Sequence, residues 1–399
     1  MLRVLTLCTL FPDATRPTFG GFVEKQTLAL TDRDGAQVEV VAPIGIAPWP
    51  LSRHSRYSRF ADVPECEIWK GLTVHRPRFP VLPLVGPRIA PALMASALLP
   101  HLKAIRERFA FDVIDAQFFW PDGPAAMQLA EALCVPYSIK ARGSDILFWG
   151  RQRGCVSQLR AAAEKAAGLL AVSESLKREM VAMGMQADKI RVHYTGVDRE
   201  RFHPVDRAEA KRELGIAGPL VASVGALTPG KGHKLAIEAV SALDGVGLLI
   251  VGAGPEHERL QAQIAAAGCA QRIRLLGNQP HDEVARLLAA ADVMVLASSS
   301  EGLANAWVEA LACGTPIVIS DVGGAREVVC RPEAGALVAR DAVAIASAVK
   351  RLLADPPSQD AVRAVVQDFS WERNSKALFE YLSKLRVGRI EATLSSNGV

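Results

Sequence analysis

No stretch of this 399-residue chain reaches the ~18 consecutive apolar residues that a membrane-spanning helix needs. The nearest, 81–99, is broken by Pro83, Pro87, Arg88 and Pro91. No CxxC pair occurs among the seven cysteines (Cys8, Cys66, Cys134, Cys155, Cys269, Cys313 and Cys330), and their number is odd. Neither a zinc site nor a disulfide framework is indicated, and reduced thiols in a cytoplasmic protein are expected. A strong charge of one sign is also lacking. Lys and Arg number 46 against 42 Asp and Glu, and no basic block is interleaved with aromatics, which argues against a nucleic-acid partner. The opening MLRVLTLCTLFP carries Arg3 and no small-residue cleavage site, so it reads as a first strand and not as a signal peptide.

What is present is alternation. Apolar, β-branched runs at Leu2–Thr9, Val38–Ala42, Val113–Gln117, Tyr137–Ala141, Leu169–Val172 and Ile190–His193 read as strands, with helical patterns such as Phe22–Thr31 and Ala125–Leu133 between them. A second series follows, with strands at Leu220–Gly225, Leu248–Val251, Ile273–Leu276, Val293–Leu296 and Ile317–Ser320, again separated by helices. This rhythm implies parallel sheets covered on both faces. The expected fold is therefore α/β with two Rossmann-like, doubly wound domains, and their ligands should lie in loops after strands. The polar segment GVDRERFHPVDR marks the boundary, giving domains over 1–204 and 205–365 and a helical tail over 366–399. The stretch 43–100, rich in proline and arginine, gives no clear order of elements.

The most informative segment is SSSEGLANAWVEALACGTPIVIS, residues 298–320. After a strand, Gly302 removes the side chain where backbone must approach a ligand. A helix is expected to begin at Asn305, acting as N-cap, so that the N–H groups of Leu303, Ala304 and Asn305 form an anion site. Glu301 lies just before this site and Glu309 more than a turn inside the helix. Carboxylates beside an anion site make sense if the anion carries sugars, because carboxylates accept from vicinal hydroxyls while amides hold phosphate.

E-x7-E followed by EALACGTPIV, with GALTPGKGH upstream and VSESLKREM…IRVHYTGVDRERFHP between the domains, resembles glycosyltransferase family 4 across nearly the whole chain. The resemblance implies the GT-B fold, two such domains facing across a cleft with a C-terminal helix crossing back to the first. It also implies a retaining transfer of sugar from a nucleotide-diphosphate sugar to a glycan or lipid-linked acceptor. It assigns Glu309 to the ribose, Glu301 to the donor sugar and Lys231, in the loop after Gly225, to the leaving diphosphate, and it places the loop of Gly20 and Gly21 near the donor phosphate and the acceptor. No cofactor and no metal are expected. Asp32-Arg33-Asp34 imitates a metal motif but sits at a helix end before Gly35, and GAGPEHERL lacks the third glycine of a dinucleotide fingerprint.

The sequence also departs from the family. Ala226 or Gly230 stands where an arginine is common, and Asp115, Gln117 and Arg142 stand near positions of a sugar-contacting histidine, so these three are candidate acceptor or sugar contacts. Phe118, Phe119 and Trp120 read as core. His193, His233 and His281 read as packed or capping histidines. Arg53, His54, Arg56 and Arg59 read as a solvated loop, with peripheral contact to an anionic membrane surface, at its inner face, or a charged acceptor as the alternative. A nucleotide-sugar epimerase, a phosphorylase or a non-catalytic sugar-nucleotide sensor share the expected architecture and stand as the rival readings.

Overall fold

The computed structural model describes residues 1–82 and 86–396, and the side chains among them except at 56 and 387–396. Pro83, the side chain of Arg56 and the last three residues of the expected tail therefore lie outside the described residues. The chain forms two units, one of Met1–Thr195 with Trp371 onward and one of Gly196–Ser370.

In the first unit, β1 (Leu2–Leu7), β2 (Ala36–Val41), β5 (Leu72–His75), β7 (Val113–Ala116), β8 (Tyr137–Ala141), β9 (Gly168–Ala171) and β10 (Ile190–Val192) run parallel. With β4 (Cys66–Trp69) added antiparallel at the edge, the order is β10-β9-β8-β7-β1-β2-β5-β4. The short β3 (Ile44–Ile46) and β6 (Arg78–Pro80) pair separately. β1 is buried on both faces, which explains a run of leucine and valine in place of an alternating pattern. The order reverses between β1 and β7, a topological switch point.

The second unit holds β11 (Leu220–Val224), β12 (Gly247–Val251), β13 (Ile273–Leu275), β14 (Val293–Leu296), β15 (Ile317–Ser320) and β16 (Gly335–Val338), all parallel in the order β13-β12-β11-β14-β15-β16. Renumbered from β11 this is the 3-2-1-4-5-6 order of a dinucleotide-binding sheet, with its switch point between β11 and β14. Its core gathers Val221, Ile237, Leu248, Ile250, Val293 and Val318.

The boundary falls earlier than residue 204. Val197 pairs with Ser370, its amide donates to Phe369 O at 2.9 Å, and Arg363 donates to Arg199 O at 3.1 Å, so 196–204 belongs to the second unit. The second crossing comes after Ser370, because Val366 and Phe369 are buried there. The final helix, Trp371–Ser396, packs on the first sheet, where Leu378, Tyr381 and Leu382 bury themselves among Leu2, Val4, Val113 and Leu170. Each such burial stabilises by ~1.5–3 kcal/mol. Gly168 has no side chain because Tyr381 lies over it: a Cβ there would stand 1.9 Å from the tyrosine oxygen.

Candidate active site

Two loops leave the second sheet at its switch point, one after β11 and one after β14. Their backbones join where Ser299 N donates to Gly230 O at 2.7 Å. Their side chains join through Lys231 Nζ and Glu301 Oε1 at 2.5 Å, and Ser298 Oγ donates to the same oxygen at 2.7 Å. Glu301 Oε2 finds no partner among the described residues. Arg340, just beyond β16, ties both loops together, donating to Ala297 O and to Pro229 O at 2.9 Å each. Gly324 N donates to Gly302 O at 2.9 Å and so braces the second loop from behind.

The helix after the second loop spans Asn305–Ala312. Its N-cap is Ala304, in extended conformation, and no side chain caps it. Asn305 is thus the first helical residue and not the cap, because the turn closes one residue earlier than its type favours. The consequence is that the amides of Leu303, Ala304, Asn305 and Ala306 find no acceptor among the described residues. Free first-turn amides beside a lysine make an anion-binding cradle. Glu309 sits half-buried in the second turn.

The helix after the first loop, His233–Ser241, begins at Gly232 with φ 75°, where a Cβ would stand 2.2 Å from Ala297 O. The first unit repeats this construction. Gly20 precedes the helix Gly21–Thr31 at φ 70°, and a Cβ there would stand 2.1 Å from Leu10 O. Gly20 is therefore explained by local packing, and the Gly21 amide donates to Thr18 O at 3.4 Å. Gly225 is less constrained; a Cβ would meet only the ends of His233, Leu296 and Lys231 at ordinary contact distance. Behind it, His233 is buried with Nδ1 2.9 Å from Ser223 Oγ, and burial pushes its pKa down to about 4. Its imidazole is neutral at pH 7.

Asp115, Gln117 and Arg142 come together at the carboxyl ends of β7 and β8, in a network that the sequence did not reveal. Asp115 accepts from Ser138 Oγ at 2.7 Å and from Gln117 Nε2. Gln117 in turn accepts from Gln26 at 2.8 Å and from Arg142. Lys140 Nζ donates to Gln26 Oε1 at 2.7 Å and meets His193 Nδ1 at 2.6 Å, while His193 Nε2 donates to Asn374 O at 2.9 Å. Burial raises the Asp115 pKa and holds Lys140 and His193 well below their usual values. Asp115 has no exposed surface, so it anchors this network and presents nothing to a sugar, contrary to expectation. Arg142 keeps some exposure, its guanidinium lying 4.8 Å from the centre of the Phe22 ring, with its pKa lowered to about 10 by burial.

All seven cysteines are unpaired, and no cluster of three metal-ligating side chains occurs among the described residues. No helix among the described residues is long and apolar enough to cross a membrane. Phe119 and Trp120 are core residues, as their pattern implied. Sequence reasoning missed Ser298, Arg340, Gln26 and Lys140. Ser298 had a signal in the polar run after β14; Arg340 had none.

Residues 206–366 match the family described as glycosyl transferases group 1, and residues 27–201 match Glycosyltransferase Family 4. The 2-deoxystreptamine glucosyltransferase of Streptomyces kanamyceticus is 30% identical over 66% of this chain and 74% of its own. The chain belongs to glycosyltransferase family 4. The putative teichuronic acid biosynthesis glycosyltransferase TuaC of Bacillus subtilis is 28% identical over 94% of this chain and 97% of its own. Among solved structures, HepE of Anabaena in complex with UDP superposes with a TM-score of 0.73 at 20% identity, covering 96% of this chain and all of its own (100%). Sucrose-phosphate synthase of Thermosynechococcus elongatus gives 0.73 at 20% identity over 100% of both chains. These likenesses establish the GT-B fold for this family 4 glycosyltransferase.

Proposed function

We propose that this glycosyltransferase takes its donor, a nucleotide-diphosphate sugar, at the switch point of the second unit and transfers the sugar with retention to a hydroxyl of a glycan or lipid-linked acceptor presented by the first. The single observation that carries the reading is the Lys231–Glu301 contact, set beside four unengaged helix amides at the ligand-binding edge of the sheet. Negative charge grows on the leaving diphosphate, and preorganised donors aimed there supply most of the acceleration in such a reaction. Lys231 and the amides of 303–306 are those donors. Glu301, held by Lys231 and Ser298, keeps one oxygen to accept from a hydroxyl of the transferred sugar, and Glu309 is assigned to the ribose. The anomeric C–O bond to phosphate breaks, a C–O bond to the acceptor forms on the same face, and the acceptor proton passes to a phosphate oxygen. This route needs no protein base, which fits the burial of Lys140, His193 and Asp115. Charge neutralisation by Lys231 and backbone donors is the reason a metal is not invoked.

The neighbours in complex with UDP and, for starch synthase IV of Arabidopsis thaliana, with ADP support a nucleoside diphosphate ligand without choosing the base. The relatives' names span teichuronic acid, 2-deoxystreptamine and D-inositol 3-phosphate, which supports a hydroxyl-bearing acceptor. Cell-surface polysaccharide or glycoconjugate assembly at the cytoplasmic side of a membrane is the role we assign to the transfer. The test is incubation with UDP-, GDP- and ADP-sugars and hydroxylated acceptors, reading the anomeric proton of the product by NMR. An α-linked product from an α-linked donor is expected. Inversion overturns retention. Sugar isomerisation with donor alone identifies an epimerase, turnover with free phosphate a phosphorylase, and binding without turnover a sensor.

A further inference from the structure

The first unit has a switch point of its own, between β1 and β7, and a cavity of about 280 Å³ opens beside it. Thr9 and Pro121, from the loops that follow those two strands, line it, and so do Arg16, Tyr57, Arg59 and Phe60. At roughly 30 Å³ per water, it has room for about nine waters, the scale of one substituted sugar or cyclitol ring. It lies where open α/β sheets bind ligands, and none of the residues assigned to the donor above lines it.

Its charge is one-sided. The guanidinium of Arg16 lies 4.6 Å, and that of Arg59 4.8 Å, from the centre of the same Phe60 ring. The two guanidinium carbons therefore lie within ~10 Å of each other, about one Debye length at 0.1 M salt. Arg16 is fixed by Asp13, which accepts from its Nε at 3.0 Å and Nη2 at 2.7 Å and is itself buried. Arg59 has no carboxylate partner among the described residues, and no acidic side chain among the described residues lines the cavity. The result is an aromatic floor with one neutralised guanidinium, whose Nε–Nη2 edge is taken by Asp13, and one uncompensated guanidinium, whose planar fork suits carboxylate or phosphate.

We infer that this cavity holds the acceptor and that the acceptor ring carries an anionic substituent, a carboxylate or a phosphate, met by Arg59 and Arg16. The inference rests on the glycosyl-transfer reading and names its acceptor class. Phe60 and Tyr57 give the ring an apolar face to lie on. Arg16, preorganised by Asp13, sets the orientation, and Arg59 supplies the charge that selects an anion over its neutral counterpart.

The test uses the full chain and matched ring pairs: 4-nitrophenyl glucuronide against 4-nitrophenyl glucoside, and methyl glucoside 6-phosphate against methyl glucoside. Dissociation constants come from calorimetric titration in 0.1 M salt. At least one anionic member is expected to bind tenfold or more tightly than its neutral parent, and whichever pair shows the gap distinguishes carboxylate from phosphate. Arg59→Gln is expected to erase about tenfold of that preference, the scale of one charge-assisted hydrogen bond. Lys103→Gln, removing an exposed cation elsewhere on the same unit, keeps it. Equal binding of charged and neutral rings, no binding of either, or a preference untouched by Arg59→Gln overturns the inference. Nucleoside diphosphate binding and donor hydrolysis are measured on the same samples. If these persist while the anion preference is absent, only the acceptor class is wrong; if they fail, the transfer reading itself has failed.

Discussion

Replacing Lys231 by alanine isolates the group on which the proposed chemistry leans most. The ammonium stands 2.5 Å from Glu301, its side chain 28% exposed and the carboxylate's 11%. Its removal leaves Glu301 with Ser298 as a donor, and any cost to the fold is read separately from the cost to turnover. The cost to catalysis is large. In the proposed reaction the amine faces the position where diphosphate charge develops, and losing one such donor lowers kcat by ~10²–10³, equivalent to about 3–4 kcal/mol of transition-state stabilisation. The ground state carries less of this charge, so the dissociation constant of the nucleotide should rise by far less than kcat falls. Steady-state release of nucleoside diphosphate, with a thermal melt to verify folding and a nucleotide titration for binding, separates the two. Lys231→Arg, which restores charge without the compact amine, should recover only part of the loss. A fall in kcat below tenfold with the fold intact refutes a role for Lys231 in stabilising the departing diphosphate.

Other consequences are equally checkable. Glu309→Gln keeps shape and removes charge, so nucleoside diphosphate affinity should weaken about tenfold, the worth of a charged hydrogen bond to a ribose hydroxyl; an unchanged titration refutes the ribose assignment. Arg340→Ala releases Ala297 O and Pro229 O and should lower kcat about tenfold through the drift of Lys231 from its position. Added to Lys231→Ala, it should lower kcat no further; a fully additive double variant means Arg340 does not act through Lys231. His233 is held neutral down to about pH 4 in the folded chain, whereas an unfolded imidazole protonates near pH 6.5. The unfolded state therefore binds more protons between these values, and stability falls as pH drops from 6.5 to 4, by up to about 3 kcal/mol from this residue. Asp122, raised to about pH 7 by burial, contributes with opposite sign in that window, so the His233 part is read as the difference between wild type and His233→Asn in urea unfolding. A pH-independent difference refutes the burial account.

How much of this was legible before the fold was seen depended on burial. β14 and β15 begin and end where the apolar runs do, because a strand covered on both faces admits few polar residues inside it. Residues 43–100 resisted reading for two physical reasons. β3 to β6 are three or four residues long, too short for a period to show. The helix Gly86–Arg108 contains Pro91 and Pro100, each a nominal breaker, yet Met94, Leu98, Leu102 and Ile105 align on one buried face and outweigh them. The same tertiary override set the helix start at Asn305 and its cap at Ala304, despite the cap preference of the asparagine side chain.

At the candidate site, Lys231 and Glu301 were each visible from loop position and residue type, but the bond between them spans seventy residues and appears only once β11 lies beside β14. Arg340 is more hidden still, since it acts on two carbonyls that have no sequence signature. Asp115 became a candidate through its place near the family's sugar-contacting histidine, whereas here Ser138 and Gln117 enclose it. Domain limits shifted for a similar reason: a single bridge between Val197 and Ser370 assigns both crossings to the second unit, and one bridge leaves no periodic trace.

The central claim is that the second unit's switch-point loops grip the donor by its diphosphate. The most direct measurement is a crystal structure with a non-transferable sugar nucleotide. The account predicts diphosphate oxygens within ~3 Å of Lys231 Nζ and of amides between Leu303 and Ala306, with Glu309 on the ribose. A nucleotide bound anywhere else, with those amides still unengaged, contradicts it.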